Sequence, residues 1–149
     1  MAFWTKKKYL DGEQEAAVVA AIGRAEEGNR GEVRVHLERR CRHPGGPLAR
    51  AEEMFYKLGM HQTVGATGVL LYAAMEAREA AVYAGPGIHT CCPKAFWQAI
   101  TAGLIEGAAT DTMTEKLVSA VDEIGDLLRE HVPGEKDVGN ELPDEVSFD

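Results

Sequence analysis

Cys41 and His43 lie two residues apart, and His89, Cys91 and Cys92 form a second group of soft donors later in the chain. Together they carry enough nitrogen and sulfur for zinc. Adjacent cysteines are not the usual C-x2-C spacing, and the elements described below place the two groups at opposite ends of a sheet. Cys91, just before a helix, is also a nucleophile candidate, because a helix N-terminus favours the thiolate. Three cysteines, two of them adjacent, make a poor disulfide framework and read as reduced thiols.

Gly85-x-Gly87 has the start of a dinucleotide fingerprint, but the third glycine place holds Thr90. The strand before it is the return arm of a hairpin, whereas the fingerprint needs a parallel β-α-β unit, so a plain turn is the better reading. Glu76 and Arg78 flank the hairpin turn. They are turn charges, or they sit near the carboxyl end of a strand, where open α/β sheets bind ligands. His36, between Arg34 and Glu38, reads as a surface or helix-covered histidine, and His61 as a satisfied loop residue. Phe3 and Trp4 beside Lys6, Lys7 and Lys8 suit an anionic membrane surface. A formal net charge of −8 opposes that, so docking of the aromatics on the domain is preferred.

These residues need a scaffold. Asp11, with Gln14 three residues on, opens a helix over 12–27, with Val18, Val19, Ile22 and Ala25 on one stripe. Val33, Val35 and Leu37 alternate with Glu32, Arg34, His36 and Glu38, which predicts a half-buried strand with one polar face. Cys41 to Pro47 is a loop. A second helix follows, with Leu48, Ala51, Met54, Phe55 and Leu58 as its apolar stripe, ended by Gly59. Gly68 to Met75 is a continuous apolar run, the pattern of a strand covered on both faces. Glu79 to Ala84 returns antiparallel as a hairpin. Pro93 starts a third helix, and Asp111 caps a fourth that runs to about His131. The order α-β-α-β-β-α-α, with one β-α-β crossover, predicts a three-layer α/β/α sandwich around a small mixed sheet.

One domain suits 149 residues. Apolar residues at 45% and charged ones at 27% rule out a mostly disordered chain. The acidic balance argues against general nucleic-acid binding. No apolar run nears the ~18 residues of a membrane span, and the start has no signal-peptide stretch. The reading is therefore cytoplasmic. The charge is uneven: residues 133–149 hold six acids and one lysine. The division is a domain over 1–132 and an acidic tail over 133–149. That tail is either extended or docked through Val138, Leu142, Val146 and Phe148.

The strings GEVRVHLE, RAEEMFYKLGMHQT, TGVLLYAAMEAREAAVYAGPGI and NELPDEV together resemble the TPM domain family, more closely its short soluble bacterial branch. The resemblance spans about residues 3–147. It implies a Rossmann-like sandwich. Some members are described as acid phosphatases and some bind divalent cations such as calcium. Others are membrane-anchored and act in assembly or repair of membrane protein complexes. Relatives of the short branch accompany a LemA-type membrane protein and a membrane-anchored TPM protein. This chain departs from the pattern: Ala77 stands where an acid usually precedes the hairpin arginine, though Arg78 is kept. Ala84-Gly85 replaces a Gly-Asp pair, and Thr67 replaces an asparagine. Metal and phosphoryl chemistry need such carboxylates.

The expectation is a binding or accessory module. One alternative is a phosphatase-like hydrolase dependent on calcium or magnesium. Thr67, Glu76, Arg78 and Gly87 would lie near its site, with Arg78 holding phosphate, and Gly68 and Gly85 complete the set of candidate ligand-binding residues. The other is a calcium-stabilised structural domain.

Overall fold

The computed structural model describes residues 9–135 and 146–149. Phe3, Trp4, the three lysines after them, Val138 and Leu142 lie outside the described residues. Helix α1 (Gly12–Ala25) opens on a capping box: Asp11 accepts from the Gln14 N–H at 2.8 Å, and Gln14 accepts from the Asp11 N–H at 2.9 Å. Two donors that the first turn leaves open are thereby paired. Strand β1 (Glu32–Glu38) follows, then α2 (Pro47–Lys57), two short 3-10 turns, and the hairpin of β2 (Gly68–Ala74) and β3 (Glu79–Ala84). Helices α3 (Lys94–Thr110) and α4 (Met113–His131) precede a short strand β4 (Val146–Phe148).

The sheet order is β3-β2-β1-β4. β1 and β2 are parallel, in the register Val33↔Val69 to Leu37↔Ala73, and β3 returns antiparallel. The expected α/β/α architecture is therefore present. Val33, Val35 and Leu37 join Val69, Leu71 and Ala73 in the main core, with Val18 and Ile22 of α1 and Leu117, Val121, Ile124 and Leu128 of α4. Helix α2 covers the other face, where Ala51 packs with Tyr72 and Ala74, and Met54 and Phe55 with Leu70. Helices α1 and α4 approach closely at Gly125, where a Cβ would come within 2.7 Å of the Ala25 Cα.

Three expectations need correction. The alternating face of β1 is not turned to solvent: Glu32, Arg34, His36 and Glu38 are all at most 4% exposed. Strand β1 lies inside the sheet between β2 and β4, and His36 and Glu38 are paired with each other, Arg50, Tyr72 and Ser147 rather than hydrated. Asp111 does not cap α4. It closes α3 in the left-handed region, φ 57°, which Asp tolerates better than most residues, and Thr112 takes the N-cap place. Leu48 is 58% exposed, because the first turn of α2 overhangs the sheet edge.

Strand β4 is the element that periodicity does not announce. It pairs parallel with β1, Val35↔Val146 and Leu37↔Phe148, and the Asp149 N–H donates to Leu37 O at 2.9 Å. Val146 and Phe148 are buried against the main core. Phe148→Ala is expected to cost about 3 kcal/mol, the lower end for deleting a buried Phe side chain. Denaturant melts check the cost, and hydrogen exchange should show lost protection at Val35 and Leu37.

Candidate functional site

The six residues grouped at the sequence level do not meet. Thr67 and Gly68 open β2, and Gly85 and Gly87 follow β3, so these four share one end of the sheet. Glu76 and Arg78 occupy the hairpin at the other end. The seven residues of β2 stand between the groups, a span of about 20 Å at ~3.3 Å per residue. No phosphate-sized ligand reaches both, so Thr67, Gly68, Gly85 and Gly87 form one group and Glu76 and Arg78 another. Local structure accounts for most of them. The Thr67 hydroxyl donates to Arg30 O at 3.2 Å. Arg78 sits exposed in a left-handed turn position, φ 56°. A Cβ on Gly87 would lie 2.0 Å from Gly65 O, and one on Gly85 2.5 Å from Ala66 O. Glycine is required there because two loops touch backbone to backbone, which also explains the G-x-G spacing.

The cysteines fall as expected at opposite ends, Cys41 after β1 and the pair after β3. The surroundings of Cys91 do not favour the thiolate that a nucleophile needs. Burial pushes its thiol up, and its Sγ donates to Ile88 O at 2.7 Å.

What the fold does assemble is a polar network on the α2 side of β1, centred on Glu38. Arg50 of α2 reaches Glu38 through Nε, at 3.1 and 3.2 Å to the two oxygens, and through Nη2 at 2.8 Å. The Tyr72 hydroxyl of β2 donates to Glu38 Oε2. One ring nitrogen of His36 contacts Glu38 Oε1 at 3.3 Å and the other contacts Ser147 Oγ of β4 at 2.7 Å. The His36 and Tyr72 rings stack at 6.1 Å. Burial raises the Glu38 carboxyl, but hydrogen bonds from His36, Arg50 and Tyr72 outweigh it and hold the group at about 2. Burial and the Glu38 charge push the Tyr72 hydroxyl well above its ordinary range, so it remains a donor.

His36, Glu38 and Asp149 offer ligand atoms within 4.8 Å of one another. They do not fit calcium or magnesium. Calcium takes about six to eight oxygens, and here the place of a cation among the carboxylates is filled. Arg50 Nη2 lies 2.8 Å from Glu38 Oε1 and 3.1 Å from Asp149 Oδ2.

Beyond the carboxyl ends of β1 and β4 this network floors a cleft of about 290 Å³, lined by Glu38, Arg39, Arg40, Arg42, Arg50 and Asp149. Arg39 is paired with Glu76. Arg40 and Arg42 are exposed and, among the described residues, have no carboxylate partner. Reading by motif passed over this group. Its signal was the run Arg39-Arg40-Cys41-Arg42-His43 directly after a strand in an acidic chain.

Two outcomes test this description. Arg50→Met leaves Glu38 buried without its cation and should cost about 3–5 kcal/mol, read by chemical denaturation. Glu38 sits below its ordinary value, so its stabilising contribution is complete above about pH 4.5 and is lost as pH falls toward 2. Glu38→Gln should flatten the acid limb of a melting-temperature profile over that window.

A TPM domain family model matches residues 5–127. No curated protein matches the chain. Among solved structures, the BA42 protein from the psychrophilic bacterium Bizionia argentinensis is 31% identical, with a TM-score of 0.83 over 96% of this chain and 97% of that one. The N-terminal domain of the cg2496 protein from Corynebacterium glutamicum is 11% identical, with a TM-score of 0.62 over 85% of this chain and 79% of that one, and shows the shared fold alone. By the family model and the near full-length likeness to BA42, the chain belongs to the TPM domain family.

Proposed function

We propose that the protein is a binding module, accessory in type, that holds an oxyanion group of a partner protein in the arginine cleft. The supporting observation is the pair of uncommitted guanidinium groups, Arg40 and Arg42, beside Arg50 at the carboxyl end of the parallel strands. That is where open α/β sheets take their ligands. A chain with a net charge of −8 that gathers four arginines around one cleft bears their mutual repulsion locally. An incoming carboxylate or phosphate relieves that repulsion. The planar arginine fork matches either group with two parallel hydrogen bonds. A membrane-anchored partner of the LemA or TPM type, as the family resemblance implies, is one that could present such a group.

Amide NMR titrations with inorganic phosphate and with an aspartate-rich peptide distinguish the two sources of oxyanion. Shifts confined to residues 39–43 and 149 are expected with at least one probe. The double substitution Arg40→Ala, Arg42→Ala should weaken that binding about tenfold or more. Both positions are exposed, so stability should stay within about 0.5 kcal/mol. Silence from both probes overturns the reading. Turnover of a phosphomonoester that Arg78→Ala abolishes would favour the hydrolase instead.

A further inference from the structure

On the opposite edge of the sheet from the arginine cleft, strand β3 has one neighbour, β2, among the described residues. The Gly85 N–H donates to Gly68 O at 2.8 Å, which makes Gly68 and Gly85 a hydrogen-bonded pair of the antiparallel ladder. Such pairs alternate with non-hydrogen-bonded ones. Ala80, Val82 and Ala84 therefore turn their N–H and C=O groups outward, along the free edge. Natural edges are blunted with charge, proline or a bulge, yet the run 80–84 carries neither charge nor proline, and its register with β2 is unbroken.

This edge lies at the bottom of a trench of about 550 Å³. Leu48 of α2 forms one wall, and Trp97, Thr101 and Ile105 of α3 form the other. Leu48 and Ile105 are 58% and 40% exposed, and so rank among the most exposed large apolar side chains of the described residues. The floor is low because residues 80, 81 and 84 are all alanine. Ala80, Ala81, Val82 and Ala84 are each at most 9% exposed although no strand covers them. The walls therefore rise past the edge. Two copies meeting edge to edge would bring walls together before their backbones came within the ~4.8 Å of a paired sheet. A single slender strand enters without that conflict.

Among the described residues no carboxylate lines the trench itself, the nearest named one being Glu52 beside Tyr83, and Lys94 stands at the Ala84 end, in the first turn of α3. That helix end has no side-chain cap and no acid in its first turn, so it adds its own positive field.

We infer that the β3 edge is a strand-addition site for an extended segment of a partner protein, apolar at alternate positions and acidic at the end beside Lys94. Main-chain hydrogen bonds to Ala80, Val82 and Ala84 hold the segment. The apolar walls take its side chains, and Lys94 selects its acidic end.

The probe is a soluble octapeptide of alternating Val and Thr ending in Asp. It is compared with the same peptide ending in Lys and with one carrying Pro at two central positions. With the first peptide, exchange of the Ala80, Val82 and Ala84 amides should slow about tenfold or more. The Lys-ended peptide should bind several-fold more weakly, and Lys94→Glu should reverse that order. Val82→Pro removes an outward N–H that β2 does not use, so the fold should persist while peptide binding is lost. Leu48→Asp, at an exposed position, should weaken binding with no change in melting temperature. The proposal is overturned if no peptide protects these amides at millimolar concentration, or if the proline-bearing peptide binds equally well. It is also overturned if the amides become protected without peptide as protein concentration rises, which would make the occupant a second copy.

Discussion

A carboxylate inside a sheet must have its oxygens occupied, and much of this molecule is arranged around that requirement at Glu38. The partners come from α2, β2 and β1 itself, while β4 supplies Ser147 against His36 and the residue after it, Asp149, faces Arg50. Such a pair adds little net stability over an apolar substitute, yet losing one member is expensive. It therefore acts on arrangement. A slip of β1 by one residue would swing Glu38 into the apolar face under α1 and α4. Arg50 fixes where α2 lies across the sheet, and the Arg50–Asp149 contact ties the end of β4 to the same point.

The two faces of the sheet consequently differ in kind. Under α1, α3 and α4 the packing is continuous and apolar. Under α2 it is divided into two smaller clusters that share Tyr83, with the polar network beside them on β1. Where the network reaches the carboxyl ends of the strands it surfaces as a charged cleft, whereas the far edge ends in bare backbone between apolar walls. Two chemically distinct surfaces thus lie at opposite margins of one small sheet.

Local patterns in the sequence carried the architecture. The Asp11–Gln14 box, the unbroken run from Gly68 and the tight return at Glu79 each depend on residues close in sequence, and each is found in place. The alternation of β1 was equally plain, but what lies over its polar face was not, because that depends on where Arg50 crosses. The expected ligand site failed on strand length: Thr67 and Glu76 bracket β2 and are held apart by it. Gly85 and Gly87 were legible as a turn, but the carbonyls of Gly65 and Ala66 that forbid a side chain there belong to another loop. The arginines after β1 stood in plain view, but their meaning depends on which strand ends lie beside them.

The pairing of β1 with β4 has a temporal side. Ser147 follows His36 by 111 residues. At ~5–20 residues per second of synthesis, β1 waits about 6–20 s for its second neighbour. During that interval a nascent chain can hold helices α1 to α4 and the hairpin while one edge of β1, and the histidine and carboxylate beside it, still face water. The sheet order β3-β2-β1-β4 is complete only once β4 has been made. The period of greatest exposure to wrong partners thus coincides with translation, when chaperones are at hand.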